Sequence, residues 1–563
     1  FTPRALALPG PTPPPARAGG EGAAIYPAST IPGNPCSAPA FGFPGNSRIF
    51  NQPNSAVFLT GPSSTGARVS GGGNFINRGT IQINSGTGVD VTSGFGQYTP
   101  INSSLQVNNG IAALRVGDGG TMNVLGDGQG NSAIQASGSA DGVLLDEGAQ
   151  GFAASNVIIG SYGSGSVINN RAETANISLN NVMLDVTRGN GVRSATSFDL
   201  NGSALINVSG GTGYRFENAD GSTSSNDLVI GKDYAILVSG PGNGVIANTT
   251  GKVISQGSIG IRDFSGGSAI ITKTASQVIN QGSIVSLSRV APLIDLRGGQ
   301  TVFINQGTIS APFPDQVVVA GGATDDVIAL LDGAVIGDVN TGSGRDELIV
   351  TGGTLKGSLT MGSGAANQAT VQKVSLADTR HITTENGAGS TLNLSQLKAR
   401  GGSFASDDSV KGTNLGSGWS TLNFHNTQWT LTDNIKLAHS TINVDSGSTL
   451  FAGDNVNPLL QGASDDSLVV NNAGTLDLTN GGNTAANTLT IDGELASSGG
   501  SVRLNATATS SDVVLVNGAA SGVTQVEVKL AGAPLFDSNG DGVIAANEGV
   551  SLAQVSGSAN ANS

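Results

Sequence analysis

The chain of 563 residues has a single cysteine, Cys36, and few aromatic or charged side chains. One cysteine cannot build an internal disulfide framework or a cysteine-based metal site. Aromatic residues supply 4% of the chain and charged residues 12%, too few for several compact cores built around aromatic anchors. No apolar run approaches the roughly 18 residues that a membrane-spanning helix needs. These shortages argue against a string of ordinary globular domains.

Positive charge and histidine are also scarce. The formal net charge is −14, with 26 basic and 40 acidic residues, so we expect no nucleic-acid partner, because phosphate binding needs clustered Lys and Arg. The three histidines, His381, His425 and His439, are dispersed and lack the spacing of a metal site. No serine nucleophile motif stands before a helical pattern. We therefore expect that the chain is not an enzyme.

Glycine is abundant, with 85 residues, and the chain repeats itself. The sequence VISQGSI at residues 253–259 recurs as VINQGSI at 278–284 and as FINQGTI at 303–309, with two steps of equal length. Residues 322–344 align on residues 342–364 with a shorter step. Apolar residues alternate within these copies, and Gly or Asn follows them. Steps of roughly 20 to 25 residues indicate a solenoid whose coils each need a neighbour to cover their apolar face.

The pattern predicts an all-β fold, a right-handed single-stranded parallel β-helix with a C-terminal cap. Each coil would contain about three short strands, and backbone hydrogen bonds would run between coils at about 4.8 Å spacing. Roughly 20 coils would then stack into a rod. Thirteen of the 20 prolines fall within residues 1–62, so we predict a Pro-rich extension at 1–66, the β-helix at 67–480 and a cap at 481–563. We expect contact loops at residues 98–104, 210–226 and 400–418.

One local motif predicts a metal site. The stretch DSNGDGVIAANE matches a twelve-position calcium loop, with side-chain oxygens from Asp537, Asn539 and Asp541 at positions 1, 3 and 5. Val543 would supply a backbone carbonyl and Glu548 a bidentate carboxylate. A structural Ca²⁺ ion is therefore expected there, although the paired helices of such sites are missing and an acidic solvated loop is the alternative. Half of a second calcium-type repeat surrounds Asp346, where a structural turn aspartate explains the sequence better.

Several phrases resemble the passenger region of type V autotransporters, the pertactin-like and AIDA-like adhesins of Gram-negative bacteria. They are WTLTDN at residues 429–434, NAGTLDL at 472–478, SDVVLVNG at 511–518 and SLAQVSG at 551–557. The resemblance implies a passenger without its translocator, and an autochaperone-like role for residues 481–563. It also implies that membrane contact is made only through a C-terminal outer-membrane β-barrel, which is absent from this sequence.

The resemblance implies a secreted or surface-displayed adhesin of the bacterial outer membrane. Its partners would be host or bacterial cell-surface macromolecules, glycan or protein, and like passengers could self-associate. Two other classes stay open at this point. One is a structural surface-layer or filament component, and the other is a carbohydrate-active β-helix enzyme using acid pairs such as Asp325 and Asp326, although solvated turns explain such pairs better.

Overall fold

The protein folds as a parallel β-solenoid of about 18 turns. A computed structural model describes residues 24–25, 29–30, 41–43, 48–196, 201–274, 276–385, 387–404, 412–439, 441–452, 456–463, 468–531, 541, 543 and 548–559. The regular elements of these residues are all strands, and none of them forms a helix long and apolar enough to span a bilayer. The chain divides into two units, Phe1–Gly298 and Gly299–Ser563. The predicted all-β parallel β-helix is confirmed.

Most strands are short, because a turn or bend follows each side of a coil. In the first unit the strands β1 to β28 are, in chain order, Ala24–Ile25, Ser29–Thr30, Phe41–Phe43, Arg48–Asn51, Ala56–Val69, Gly73–Asn77, Thr80–Val91, Gly94–Pro100, Ser104–Asn108, Ala112–Val116, Gly120–Leu125, Ala133–Ser137, Asp141–Leu145, Gly151–Ser161, Ser166–Asn170, Asn176–Val186, Asn190–Ser194, Asn201–Val208, Gly211–Phe216, Leu228–Ile230, Tyr234–Val238, Gly242–Ala247, Lys252–Ser255, Ser258–Ile261, Ile270–Thr272, Ser276–Asn280, Ser283–Ser286 and Ile294–Asp295. In the second unit the strands β29 to β53 are Thr301–Asn305, Thr308–Ser310, Val317–Ala320, Val327–Leu330, Ala334–Ile336, Asp338–Asn340, Glu347–Val350, Thr354–Met361, Gln368–Gln372, Thr379–Thr384, Thr391–Ser395, Lys398–Gly402, Thr413–Asn414, Thr421–His425, Gln428–Leu431, Ile435–Lys436, Thr441–Val444, Thr449–Ala452, Leu459–Gln461, Leu468–Asn472, Thr475–Asp477, Thr488–Ala506, Val513–Val516, Ala520–Leu530 and Ala553–Val555.

The repeats in the sequence set the register between neighbouring coils. Val253 pairs with Val278, which is the longer repeat step, found in the first unit. Ile328 pairs with Leu348, which is the shorter repeat step, found in the second. Gly357 also stacks on Gly337, where a Cβ atom would overlap the carbonyl oxygen of the coil before it. Both glycines have positive φ, 151° and 130°, so this corner requires glycine for its backbone conformation and for its close approach.

The core is made of columns of aliphatic side chains, one from each coil. Inward and outward positions alternate along every strand, so a residue that pairs with an inward residue also points inward. In the first unit one column is continuous over six coils, and each member is at most 2% exposed. Its members are Ile159, Leu184, Ile206, Ile236, Ile259 and Ile284. Burial of such residues stabilises the fold by about 1.5–3 kcal/mol each.

The stacked coils begin before the predicted boundary at residue 66. The boundary falls within strand β5, Ala56–Val69, which pairs with β7, and Arg48–Asn51 also pairs with a later coil. The high proline content of this region misled the prediction. Pro62 lies between Thr60 and Ser64, at a shift in the register. Residues 61–63 have no partner in β7, so the missing N–H of Pro62 does not interrupt the ladder.

The last coils continue the stack in the same manner. Strand β52, Ala520–Leu530, pairs along its whole length with β50, Thr488–Ala506. Val526 and Val528 pair with the buried Val502 and Leu504, and both are exposed, as are Val523 and Leu530. The strand therefore extends the core column without covering it within the described residues. The capping role of residues 481–563 stays a prediction.

Candidate functional site

The first unit carries a groove of about 580 Å³ on its outer surface. Its floor lies on strands β14, β16, β18 and β21, and loops from neighbouring coils border it. The described lining residues are Asp127, Gly128, Gly130, Ser132, Asn156, Val157, Ile158, Asn181, Val182, Met183, Ser203, Ala204, Leu205, Asp233 and Ala235. The groove is a concave site with an apolar lining and a few polar groups, so it is the candidate functional site.

The floor of the groove is apolar. Ile158 pairs with Met183, Met183 with Leu205, and Leu205 with Ala235, so the four residues occupy equivalent outward positions on four consecutive coils. All four are half-buried, whereas their inward neighbours fill the core. At the usual strand spacing of about 4.8 Å the column is roughly 14 Å long. An apolar column on the outside of a solenoid leaves a surface that favours an apolar contact with a ligand.

A polar rim borders one side of this floor. Asn156 and Asn181 stand two residues before Ile158 and Met183, and both are exposed and have positive φ, 55° and 52°. The Nδ2 of Asn181 donates to the Oδ1 of Asn156 at 2.9 Å. The backbone N–H of Asn181 donates to the Oγ of Ser203 at 3.1 Å. The rim is therefore a short stack of uncharged hydrogen-bonding groups, one on each coil.

An aromatic side chain lies beyond the lining residues, on the side of the floor opposite Asn156. Gly160 stands two residues beyond Ile158, and a methyl group there would lie 2.8 Å from the Cε2 atom of Tyr162. The Tyr162 ring thus occupies the space above Gly160, and the side chain is 42% exposed. Burial raises the pKa of the Tyr162 hydroxyl, the negative charge of Asp185 raises it further, and a hydrogen bond with Gln135 opposes both. The hydroxyl is therefore neutral at physiological pH.

Insertions in two coils supply the ends of the groove. Ala133 pairs with Ser104 across a step longer than that of the sequence repeats, and the additional residues form the loop that carries Asp127. Tyr234 pairs with Ala204 across a similarly long step, and Asp233 precedes Tyr234 in the turn there. The Asp127 carboxylate accepts the backbone N–H groups of Asn102 and Gln129, each at 3.0 Å. Among the described lining residues the two aspartates carry charge, and none is Lys or Arg.

The sequence did not identify this groove. The glycine-rich loop at residues 126–130 is noticeable in the sequence only as a phosphate-loop pattern without its Lys. The floor residues are spaced unevenly along the chain, so they do not recur at one period. The sequence feature that could have indicated the groove is the change in repeat length, because a coil longer than its neighbours must place its additional residues on the surface.

The three predicted contact loops have different outcomes. The prediction is wrong for the start of residues 98–104, because Tyr98 lies in strand β8, is fully buried, and its hydroxyl accepts a hydrogen bond from Asn77 at 3.2 Å. Within residues 210–226, Gly211–Phe216 is a strand and the residues after it form a loop. Residues 405–411 of the third loop lie outside the described residues. The same holds for two further pairs of adjacent aspartates in the sequence, Asp407 with Asp408 and Asp465 with Asp466.

Most of the predicted calcium loop also lies outside the described residues. This applies to Asp537 and Asn539, whereas Asp541, Val543 and Glu548 are described. The backbone N–H of Val543 donates to the Oδ1 of Asp541 at 2.8 Å, a local turn that a calcium loop and an empty acidic loop share. Within the described part of the chain no three His, Cys, Asp or Glu residues are grouped to hold a metal. The calcium site stays a prediction.

The second calcium-type repeat is a structural ladder, as the turn interpretation predicts. Asp326 accepts the backbone N–H groups of Thr301 at 2.7 Å and Gly322 at 2.8 Å. Asp346 accepts the N–H of Asp326 at 2.9 Å, and Asn367 accepts the N–H of Asp346 at 2.9 Å. Each side chain therefore caps the corner of the coil before it. The carboxylate oxygens are occupied by donors of the protein itself.

This ladder predicts a pH dependence of stability. Burial raises the pKa of Asp326 to about 6, and the charges of Asp346 and Asp325 add to this against the opposing N–H bonds. The folded state then binds protons more tightly than the unfolded state, so this contribution to the free energy of unfolding is greatest below about pH 4 and falls as the pH rises to about 6. Denaturant titrations between these pH values should show the decline. Asp326→Asn should make the free energy of unfolding depend less on pH, whereas Asp332→Asn, at an exposed turn, should not. Equal pH dependence in the wild type and both variants would contradict the assignment of the effect to Asp326.

Comparison with known proteins does not assign the chain to a family. No model of a known protein family matches it, and no curated protein matches it. The likeness to autotransporter passengers therefore remains a resemblance carried by the phrases quoted above. The fold and the geometry of the groove are the grounds on which a function is inferred.

Proposed function

We propose that this chain is the passenger of an autotransporter, secreted or displayed at the bacterial cell surface, and that it acts as an adhesin or other surface-interaction protein. Its partners in this proposal are glycans or proteins of host or neighbouring bacterial cells. Self-association with like passengers is a second mode of contact. The proposal assigns the chain a binding role and no catalytic one.

The observation that supports this proposal most is the open groove with its apolar floor and polar rim. Its floor residues lie on strands that pair with a coil on each side, so the backbone beneath the groove is fixed. A fixed surface loses little conformational entropy when it binds a ligand. The solenoid fold also suits this role, because stacked repeats present extended surfaces that such proteins use for binding.

Cell binding by the purified chain tests the proposal. Fluorescent beads coated with the chain should adhere to epithelial cells or to bacteria, and soluble chain should compete for the same sites. Beads coated with an unrelated β-solenoid serve as the control. The proposal fails if coated and control beads bind every cell type equally and analytical ultracentrifugation finds the chain monomeric at all concentrations.

The same preparations separate the two rival classes. Regular filaments or sheets that form without any cell or ligand would favour a structural surface component. Release of reducing ends from acidic polysaccharides would favour a carbohydrate-active enzyme. Either outcome, in the absence of cell binding, replaces the adhesin proposal.

We also propose that Asp537, Asn539, Asp541, Val543 and Glu548 bind a structural Ca²⁺ ion. The sequence spacing supports this, since three carboxylates, one amide oxygen and one backbone carbonyl supply the oxygen ligands that Ca²⁺ prefers. The ion would stiffen the loop that follows strand β52. The site has no part in the groove, so its test is independent of the binding proposal.

Calcium should stabilise the chain if this site exists. At a Ca²⁺ concentration one hundred times Kd, the free energy of unfolding rises by about 2.7 kcal/mol, because the ion binds only the folded loop. The melting temperature with millimolar Ca²⁺ and with chelator measures this. Glu548→Ala should remove the increase, and Asp492→Ala on a neighbouring strand should keep it. An unchanged midpoint together with no heat of Ca²⁺ binding would count against the site.

A further inference from the structure

We propose that the groove of the first unit binds a neutral oligosaccharide, with the faces of its sugar rings on the apolar floor and its hydroxyl groups on the polar rim. This inference rests on the proposed binding function and names its ligand class and its site. The floor is the column of Ile158, Met183, Leu205 and Ala235, and the rim begins with Asn156.

The floor favours a ligand with flat apolar faces over an extended peptide. The backbone of strands β14, β16, β18 and β21 pairs with a coil on each side, so no free strand edge is open for a peptide to add to. A ligand can therefore contact only side chains, along a column that has one half-buried apolar residue on each coil. Sugar rings present patches of C–H groups between hydroxyls, and such patches suit this column.

The rim supplies the hydrogen bonds that hydroxyl groups need. The bond between Asn181 and Asn156 uses one hydrogen-bonding group of each amide. The Nδ2 of Asn156 remains as a donor and the Oδ1 of Asn181 as an acceptor, one coil apart at about 4.8 Å. A hydroxyl group both donates and accepts, so adjacent hydroxyls of one sugar can satisfy both amides. Neither interaction requires a charge on the ligand.

The negative charge of the groove disfavours acidic glycans, the other common glycan class. The described lining residues include Asp127 and Asp233 but no Lys or Arg, and the whole chain carries a net charge of −14. Sulfated or uronic acid polymers would therefore be repelled. Each oxygen of Asp127 accepts a backbone N–H group, so the carboxylate is held in place by the loops around it. A neutral ligand matches these groups best.

The Tyr162 ring adds an aromatic surface beside the floor. It lies above Gly160, between the register positions of Gln135 and Asp185, and these two side chains add an amide and a carboxylate. Asp185 also accepts a hydrogen bond from Asn207 at 2.9 Å. An exposed ring with flanking polar groups is a frequent component of small-ligand sites. A sugar ring stacked on Tyr162 would have hydroxyl partners on both sides.

Glycan binding by the full chain and by its variants tests this inference. The wild-type chain should bind members of an array of neutral oligosaccharides, and binding should change little with salt because no charge is involved. Met183→Lys places a charge in the middle of the floor and should weaken the best neutral ligand at least tenfold, or about 1.4 kcal/mol. Tyr162→Ala should weaken it several-fold. Val285→Lys stands on the same face outside the groove and should leave the affinity unchanged.

The outcomes separate the inference from the proposed function. Circular dichroism and melting curves first establish that all variants fold like the wild type. If coated beads bind cells but no neutral oligosaccharide binds the chain, the inference is overturned while the adhesin proposal stands. The inference would also be overturned if the wild-type chain bound a basic peptide in a salt-sensitive manner and Met183→Lys abolished that binding. Equal glycan affinities of Met183→Lys and the wild type would overturn the assignment of the groove as the glycan site. If the wild-type chain binds neither cells nor neutral oligosaccharides and is monomeric at all concentrations, both proposals are overturned.

Discussion

Trp429→Ala should lower the free energy of unfolding of the second unit by about 3–5 kcal/mol, the usual cost of removing a buried tryptophan. Trp429 is fully buried in strand β43, Gln428–Leu431, and its ring lies 5.9 Å from that of Phe424. Its Nε1 donates to the carbonyl oxygen of Gly401 at 3.3 Å. Alanine would leave a cavity between coils, and the stacked neighbours cannot move to fill it.

Fluorescence measures this loss directly. The chain has two tryptophans, and both lie in the second unit, so Trp419 still reports unfolding when Trp429 is replaced. Denaturant titrations give the change in midpoint. Trp429→Phe should cost much less because most of the ring volume is kept, and Phe404→Ala, at a side chain that is 52% exposed, should cost little. A Trp429→Ala protein as stable as the wild type would contradict the placement of this residue in the core.

Asp512→Ala should cost on the order of 3 kcal/mol or more, because three backbone donors lose their acceptor together. The buried Asp512 carboxylate accepts the N–H groups of Ala486 at 3.0 Å and Asn487 at 2.9 Å through Oδ1. Its Oδ2 accepts the N–H of Asn505 at 2.7 Å. The side chain therefore joins three separate segments of the last coils. Asn505 is fully buried, so its N–H group would be left without an acceptor and without water.

Asp512→Asn gives a graded comparison. The asparagine keeps one oxygen for two donors but turns an NH₂ group toward the N–H of Asn505, so its stability should lie between those of the alanine variant and the wild type. Asp492→Ala is the matched control, because Asp492 accepts an exposed hydrogen bond from the Nδ2 of Asn517 at 3.2 Å. Melting temperatures of the four proteins measure the order. If the Asp512 and Asp492 alanine variants melted together, the three-donor cap would not exist as described.

The fold could be predicted because its physical cause repeats along the chain. A coil cannot cover its own apolar face, so residues such as Val253 and Val278 must recur at the length of one coil, and the sequence displays that length. Turn aspartates such as Asp346 were predictable for the same reason, since a short acceptor before each strand caps a corner. The N-terminal boundary was not predictable from composition, because Pro62 lies at a register shift of β5 where a ladder donor is not needed.

Predicting the groove requires the register between coils, which the sequence specifies only indirectly. Ile158, Met183 and Leu205 face outward and become neighbours only when the register of each coil is known. The length of a coil varies from one to the next in this region, so the same face cannot be followed by counting. The Tyr162 ring lies beside the floor because it fills the space above Gly160, an outward position without a side chain. That contact is visible only in the three-dimensional structure. The calcium loop was the reverse case, a clear sequence pattern whose geometry lies mostly outside the described residues.

The direction of the backbone hydrogen bonds determines how each unit responds to tension. These bonds join one coil to the next and run across the strands, along the direction of stacking. Traction in that direction loads the few bonds of the outermost coil first, so coils detach in succession and the load is never shared by the whole unit. Each detached coil of about 25 residues releases roughly 80 Å of extended chain. An attachment held through such a unit would lengthen in steps under hydrodynamic drag, which keeps the peak load on the bound ligand low.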